Sequence, residues 1–234
     1  MFVHNLLKPR RRLVKDVVSE ESTGDGTTTL PLNVLLLGER QSGRSSVGNA
    51  LIGGAVFHTG PSFGGVSVTS HPQRVCRIFP RYFRRNGAES HLLLRVLDMP
   101  PAQPRPQEVH ALCPEGVHVI VMVVRADLIS EETQVERDAE SLFGPDWFKH
   151  SLLVLTHADR LKEAGIDPSL FLTQAADWLR ALADRAVGGV LFVDSGSDWP
   201  SLTGEPIRER VLSLSARNHH QTLPVIGLDT EDGI

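Results

Sequence analysis

The stretch LNVLLLGERQSGRSS, residues 32–46, decides the fold. Its first half is a continuous apolar run that ends in a glycine. Such a run suits a strand buried on both faces, because a strand with one face in water would alternate apolar and polar residues. The second half, GERQSGRSS (38–46), differs by one residue from the phosphate-loop pattern G-x-x-x-x-G-K-[ST], with Arg44 standing in the lysine place. SSVGNALIG (45–53) can then start a helix. A glycine loop between a strand and a helix turns several backbone N–H groups toward one point, and the helix start adds about half a positive charge there. That combination holds phosphate. Gly38 and Gly43 supply the backbone freedom the loop needs. Arg40, Gln41, Ser42, Arg44, Ser45 and Ser46 would surround the phosphates, and Ser45 stands where a hydroxyl would bind Mg2+.

Arginine and lysine are not interchangeable in so tight a cradle. Arg44 keeps the charge and can pair with phosphate oxygens. It can equally turn outward and leave the cradle short of a charge. Both placements stay open from the sequence.

Working outward, RVCRIF (74–79) and HLLLRVLD (91–98) read as two strands joined by a charged turn, antiparallel because the connection is short. PPAQPRP (100–106) is too proline-rich for regular structure. VHVIVMVV (117–124), SLLVLT (151–156) and GVLFVD (189–194) read as buried strands. Helices are predicted over 130–144, capped by Ser130 and ended by Gly144, over 167–186 with Leu170, Ala175, Leu179 and Leu182 near one face, and over 205–217. Strands alternating with helices make an α/β fold, a mostly parallel sheet with helices on both faces. One domain over 31–217 is expected. Residues 1–30 read as a flexible basic and polar tail, and 218–234 as a loose one.

Composition sets the limits. Of 234 residues, 41% are hydrophobic and 22% charged, which suits a globular protein. A net charge of −4 makes no electrostatic case for nucleic acid. No apolar run approaches the roughly 18 residues of a transmembrane segment. Two cysteines, Cys76 and Cys113, make no disulfide framework, so a cytoplasmic setting is expected. The basic cluster Lys8, Arg10, Arg11, Arg12 and Lys15 offers weak contact with an anionic membrane surface, or is simply solvated. His219 and His220 read as solvated, and neither G-x-S-x-G nor C-x-x-C is present to suggest a hydrolase or a zinc site.

Two further stretches bear on chemistry. In LDMPPAQ (97–103) a strand ends in Asp98, and the place three residues on holds Pro101. In GTP-binding proteins that aspartate helps to hold Mg2+, and a glycine in the later place donates its N–H to the γ-phosphate. Proline has no N–H to donate. The missing charge-assisted bond is worth roughly 1.5–3 kcal/mol. Gln103 stands one place late to orient a water. The plainer reading is that Asp98 only ends a strand. In LTHADRL (155–161) a strand ends at Thr156, with His157 following and Asp159 three residues on. An aspartate there would accept from the N1–H and 2-amino group of guanine, donors that adenine lacks. The alternative is a helix-capping aspartate.

In this order and spacing the three stretches resemble the GIMAP family, the GTPases of immunity-associated proteins. RSSVGNALIGGAVF (44–57) is similar to the family's K-S-x-x-G-N-x-I-L-G-x-x-x-F, FGGVSVT (63–69) resembles its first switch loop, and residues 117–161 resemble its long strand–helix–strand block. The likeness covers about 31–217 and suits a short form without longer helical C-terminal extensions. It implies a Ras-like, three-layer P-loop NTPase fold (a G domain) with GTP or GDP and Mg2+ as cofactors. It also implies self-association through the nucleotide face, as in some members. Carried over by position, Thr69 would be the switch threonine and, with Ser45 and Asp98, a metal ligand. Thr156, His157 and Asp159 would serve guanine. The departures are Arg44, Met99-Pro100-Pro101, and the lack of an asparagine pair near VDSGSD (193–198). They point to weak or absent hydrolysis, or to an interaction module that has lost nucleotide.

Overall fold

The computed structural model describes residues 28–60, 71–85, 87–100, 104–128, 134–194 and 199–228. The expectations for residues 1–27, for the first switch loop with Thr69, for Pro101 and Gln103, for the Ser130 cap and for 195–198 lie outside them.

Six strands form one sheet: β1 (Thr28–Gly38), β2 (Gln73–Arg85), β3 (Ala88–Asp98), β4 (Val119–Arg125), β5 (Ser151–Thr156) and β6 (Val190–Val193). Their spatial order is β2-β3-β1-β4-β5-β6, and only the β2–β3 pair is antiparallel. The continuous apolar runs are explained by their alternation. Leu35 and Leu37 of β1, Ile120 and Met122 of β4, and Leu153 and Leu155 of β5 face one layer. Leu32, Val34 and Leu36, then Val119, Val121 and Val123, then Leu152 and Val154, face the other. Each fully buried side chain of this kind contributes roughly 1.5–3 kcal/mol.

The first layer contains α2 (Pro106–Leu112), α3 (Val135–Phe143) and α6 (Asp177–Arg185), through Val109, Ala139, Leu142, Leu179 and Leu182. The second contains α1 (Arg44–Ile52) and α7 (Trp199–Arg217), through Val47, Ala50, Leu51, Ile207, Val211 and Leu214. Two short helices, α4 (Ala158–Glu163) and α5 (Pro168–Gln174), and a 3-10 turn at Trp147–His150 complete the elements among the described residues.

Several expectations need correction. The proposed tail up to residue 30 ends early, because Thr28, Thr29 and Leu30 already pair with Ser90, His91 and Leu92. The single helix over 167–186 is two helices. Ala176 breaks it with an extended ψ of 147°, and Asp177 starts a new helix in which it accepts from Arg180. Leu170 is consequently 55% exposed and does not share a face with the buried Leu179 and Leu182; Phe171 is buried instead. The proline-rich 100–106 leads into α2, with Pro106 at the first helical place, where a missing N–H costs nothing. The segment after residue 217 is packed over its described part. Val117 and Leu223 exchange N–H···O bonds of 3.0 and 2.8 Å, Val225 is buried, and the Ile226 N–H donates to the Leu142 carbonyl at 2.8 Å.

Candidate functional site

Residues 38–44 close a loop at the carboxyl end of β1, and α1 begins at its rim. The Ser42 N–H donates to the Glu39 carbonyl (3.3 Å), and the Val47 N–H makes the first helical bond, to Gly43 (2.9 Å). Gly43 has φ +88°, a left-handed conformation that a side chain disfavours, and a Cβ there would come within 3.2 Å of Thr156. At Gly38 a Cβ would meet the Val123 carbonyl at 2.5 Å and Ser42 Oγ at 2.6 Å. Gln41 also has a positive φ, of 60°. Arg40 and Gln41 are exposed, while Ser45 and Ser46 are half-buried at the start of α1. Ser42 is buried, and its hydroxyl has no hydrogen-bond partner among the described atoms. A buried hydroxyl left without a partner is costly unless something occupies the loop. The narrow cradle, the helix start and this hydroxyl fit a phosphate group.

Helix α1 is pinned at its far end. Arg208 donates to the carbonyls of Ala50 (2.9 Å) and Leu51 (3.1 Å), and Arg77 to those of Ile52 and Gly53. These are the carbonyls a helix end leaves unsatisfied. The Gly48-Asn49 pair now has a physical reason. A Cβ at Gly48 would strike the Phe57 ring at 2.8 Å, and Asn49 Oδ1 accepts from the N–H groups of Val56 and Phe57, both at 2.8 Å. The sequence showed these residues as a pattern and gave no role for them.

Arg44 takes a third placement beyond the two left open. Its stem lies against Gly38, and its guanidinium turns inward to the end of β3, donating to the Met99 carbonyl. Its Nε lies 4.0 Å from Asp98 Oδ1. Arg44 is 6% exposed and Asp98 1%. Burial lowers the arginine's pKa, while Asp98 and Asp138 oppose that shift; a guanidinium stays charged in any case. Asp138 of α3, beside Arg44 and Glu39, is itself pushed up, chiefly by burial.

Ser45 Oγ donates to Asp98 Oδ2 at 2.6 Å. Hydroxyl and carboxylate are the hard oxygen donors Mg2+ takes. Here they are joined directly to each other, with a guanidinium beside the same carboxylate. A divalent ion would have to open the Ser45–Asp98 bond and sit next to a fixed positive charge. As arranged, the pair does not fit a resident Mg2+, and the third expected ligand, Thr69, lies outside the described residues.

On the base side, Thr156 Oγ1 donates to the Ser42 carbonyl at 2.7 Å and so ties β5 to the phosphate loop. The Ala126 N–H donates to the Thr156 carbonyl (2.9 Å), which joins the ends of β4 and β5. His157 has φ 59° and ψ 33°, an uncommon conformation for a residue with a side chain, and places half-buried Asp159 in the first turn of α4. The His157 ring contacts Thr156 Oγ1 at 3.0 Å, and its pKa is lowered, mainly by burial and then by Arg125. Arg125 is held by Asp127 through two bonds of 2.6 and 2.9 Å. At the end of β6, Asp194 accepts from Lys162 at 2.9 and 2.7 Å, bracing α4 from the other side. The structure therefore brings Gly38, Ser42, Gly43, Arg44, Ser45, Asp98 and Thr156 into one contiguous set, with His157 and Asp159 at its edge.

Residues 101–192 match the AIG1 family. Human GTPase IMAP family member 8 is 24% identical over 163 residues, 69% of this chain and 23% of its own length, so the chain spans about a quarter of that relative. A dimerisation-deficient variant of Toc33 from Arabidopsis thaliana superposes with a TM-score of 0.50 at 18% identity, over 80% of this chain and 85% of that one. Elongation factor SelB from Methanococcus maripaludis, in complex with the GTP analogue GppNHp, also superposes with a TM-score of 0.50, at 8% identity, over 81% of this chain and 35% of its own. Among the described residues, no helix is long and apolar enough to cross a membrane. The loop and its helix, the sheet order and these matches lead to one conclusion: the chain has the fold of a G domain, and its residues 101–192 are similar to the AIG1 family.

Proposed function

We propose that this chain binds a guanine nucleotide in the loop at 38–46, favours GDP over GTP, and works as a switch or scaffold with weak or no hydrolysis. The observation that carries the reading is the buried, unpartnered Ser42 hydroxyl inside a glycine cradle that Thr156 ties to the base loop. Phosphates would lie on the backbone N–H groups of residues 40–46. Asp159 would accept from guanine, with His157 and Thr156 holding its loop. The GDP preference rests on Pro101, which has no N–H for a γ-phosphate. Weak hydrolysis rests on the lack of a glutamine directly after it.

A second reading, a folded interaction module that no longer takes nucleotide, is favoured by one feature: Arg44 is already engaged with Met99 and Asp98. Calorimetric titration of nucleotide-stripped protein with GDP, GTP and ATP separates the two. Micromolar or tighter GDP binding with no ATP binding is expected. A folded sample that binds none of them makes the second reading correct.

Self-association through the nucleotide face belongs to the same proposal. Analytical ultracentrifugation with and without GDP would read it. The cytoplasmic setting and the membrane contact of the basic segment 8–15 rest on the sequence alone, and co-sedimentation with anionic vesicles tests that contact.

A further inference from the structure

We propose that the Arg44 guanidinium is the resident cation of the nucleotide site, occupying the place beside Asp98 that a divalent metal would need, so that guanine nucleotide binds without Mg2+. The inference rests on the nucleotide reading above and deepens it.

The stem of Arg44 passes Gly38, so the side chain crosses the cradle before it reaches Met99. The guanidinium then lies against the carboxylate that a metal site would use, with Nε 4.0 Å from Oδ1. The other oxygen of that carboxylate takes the Ser45 hydroxyl at 2.6 Å, so the hydroxyl spends its hydrogen on Asp98. The Ser45 hydroxyl and Asp98 Oδ2 are thereby paired with each other, beside a fixed positive charge.

A guanidinium has five N–H donors in a planar fork, and its fit to phosphate is bidentate. One donor goes to the Met99 carbonyl. A lysine ammonium in this place would be a compact point charge on a flexible four-carbon stem, without that fork. A divalent ion inserted beside Arg44 would be repelled by it, and it would have to break the Ser45–Asp98 bond to reach either oxygen.

The test compares GDP affinity by calorimetry in excess Mg2+ and in excess EDTA, for the full-length wild type and for Arg44→Lys. The expected result is a wild-type Kd that agrees within about threefold between the two conditions, and an Arg44→Lys Kd that is about tenfold or more tighter with Mg2+ than with EDTA. A wild-type Kd that weakens about tenfold or more in EDTA overturns the inference and leaves the guanine-nucleotide reading standing. Equal affinities in both conditions for both proteins also overturn it, since Arg44 would then not be the reason. No GDP binding by folded wild type in either condition ends the inference together with the reading it rests on. If Arg44→Lys does not fold, the wild-type pair of titrations decides by itself.

Discussion

The two ends of the sheet are finished by opposite means. At the carboxyl end of the strands lie a glycine with positive φ, a second positive φ at His157, a buried guanidinium beside a buried carboxylate, and a hydroxyl with no partner. Toward the amino end lies a hydrogen-bonded network around Asn33 and His118, with the Arg95–Glu115 ion pair at its rim. Asn33 donates its backbone N–H to His118 Nδ1 (3.0 Å) and its side-chain amide to the Gly116 carbonyl (2.8 Å). His118 returns a backbone bond to Asn33 (2.9 Å), and Cys113 Sγ donates to Gly116 at 2.9 Å. Burial pushes the Cys113 thiol up to about 12, so it stays protonated and unreactive. One end concentrates positive φ and a buried charge pair; the other is joined by hydrogen bonds among its own residues.

The contrast can be broken most strongly with acid, and at the amino end. A backbone N–H donates to His118 Nδ1, so the ring must be neutral with its proton on Nε2. Burial first, then the neighbouring His220, His150 and Arg95, hold its pKa down to about 4, against an opposing Glu115. A depressed histidine contributes its full stability above the ordinary value near 6.5 and loses it as pH falls toward 4. The expected loss is about 3 kcal/mol across that window, read by urea unfolding, and His118→Gln should remove most of the slope. Nucleotide affinity per folded molecule should not follow it.

The second prediction strikes the nucleotide end. Gly38→Ala places a Cβ against the Val123 carbonyl and Ser42 Oγ. A loss of roughly 1–3 kcal/mol in unfolding free energy is expected, with GDP binding weakened more than the stability loss explains. Unaltered GDP affinity would mean that the cradle is not where the ligand sits. The smallest effect is expected for Thr156→Val, which removes the bond to the Ser42 carbonyl at a cost of about 1 kcal/mol. Its sharper readout is the ratio of GDP to ADP affinity. That ratio should fall if Thr156 couples the base loop to the phosphate loop, and stay constant if the bond is only structural.

Much of the architecture was legible because it rests on short-range rules. A short apolar run without alternation, bounded by glycine or polar residues, suits a strand covered on both faces, as β1, β4 and β5 are. A glycine between such a strand and a helix marks a phosphate-type loop, as at Gly38 and Gly43. A short polar connection between apolar runs gives an antiparallel pair, as in β2 and β3. The failures share a different cause. The break at Ala176 follows from which side chains find the core: Phe171 and Leu179 do so from separate helices, and no local propensity forces that choice. The packing of 218–228 depends on Val117 and Leu142, far away in the chain.

The same division runs through the candidate site. The sequence by itself determined the loop, the altered charge at Arg44, and the missing N–H at Pro101, because backbone freedom, side-chain identity and covalent structure are local properties. Only the tertiary structure decided where Arg44 points, since its partners Met99 and Asp98 come to it from another strand, more than fifty residues along the chain. Thr156 reached Ser42, and His118 reached Asn33, for the same reason. A buried charge or hydrogen-bonding group goes to whichever acceptor the packed sheet brings within reach, and that acceptor exists only once the strands are side by side.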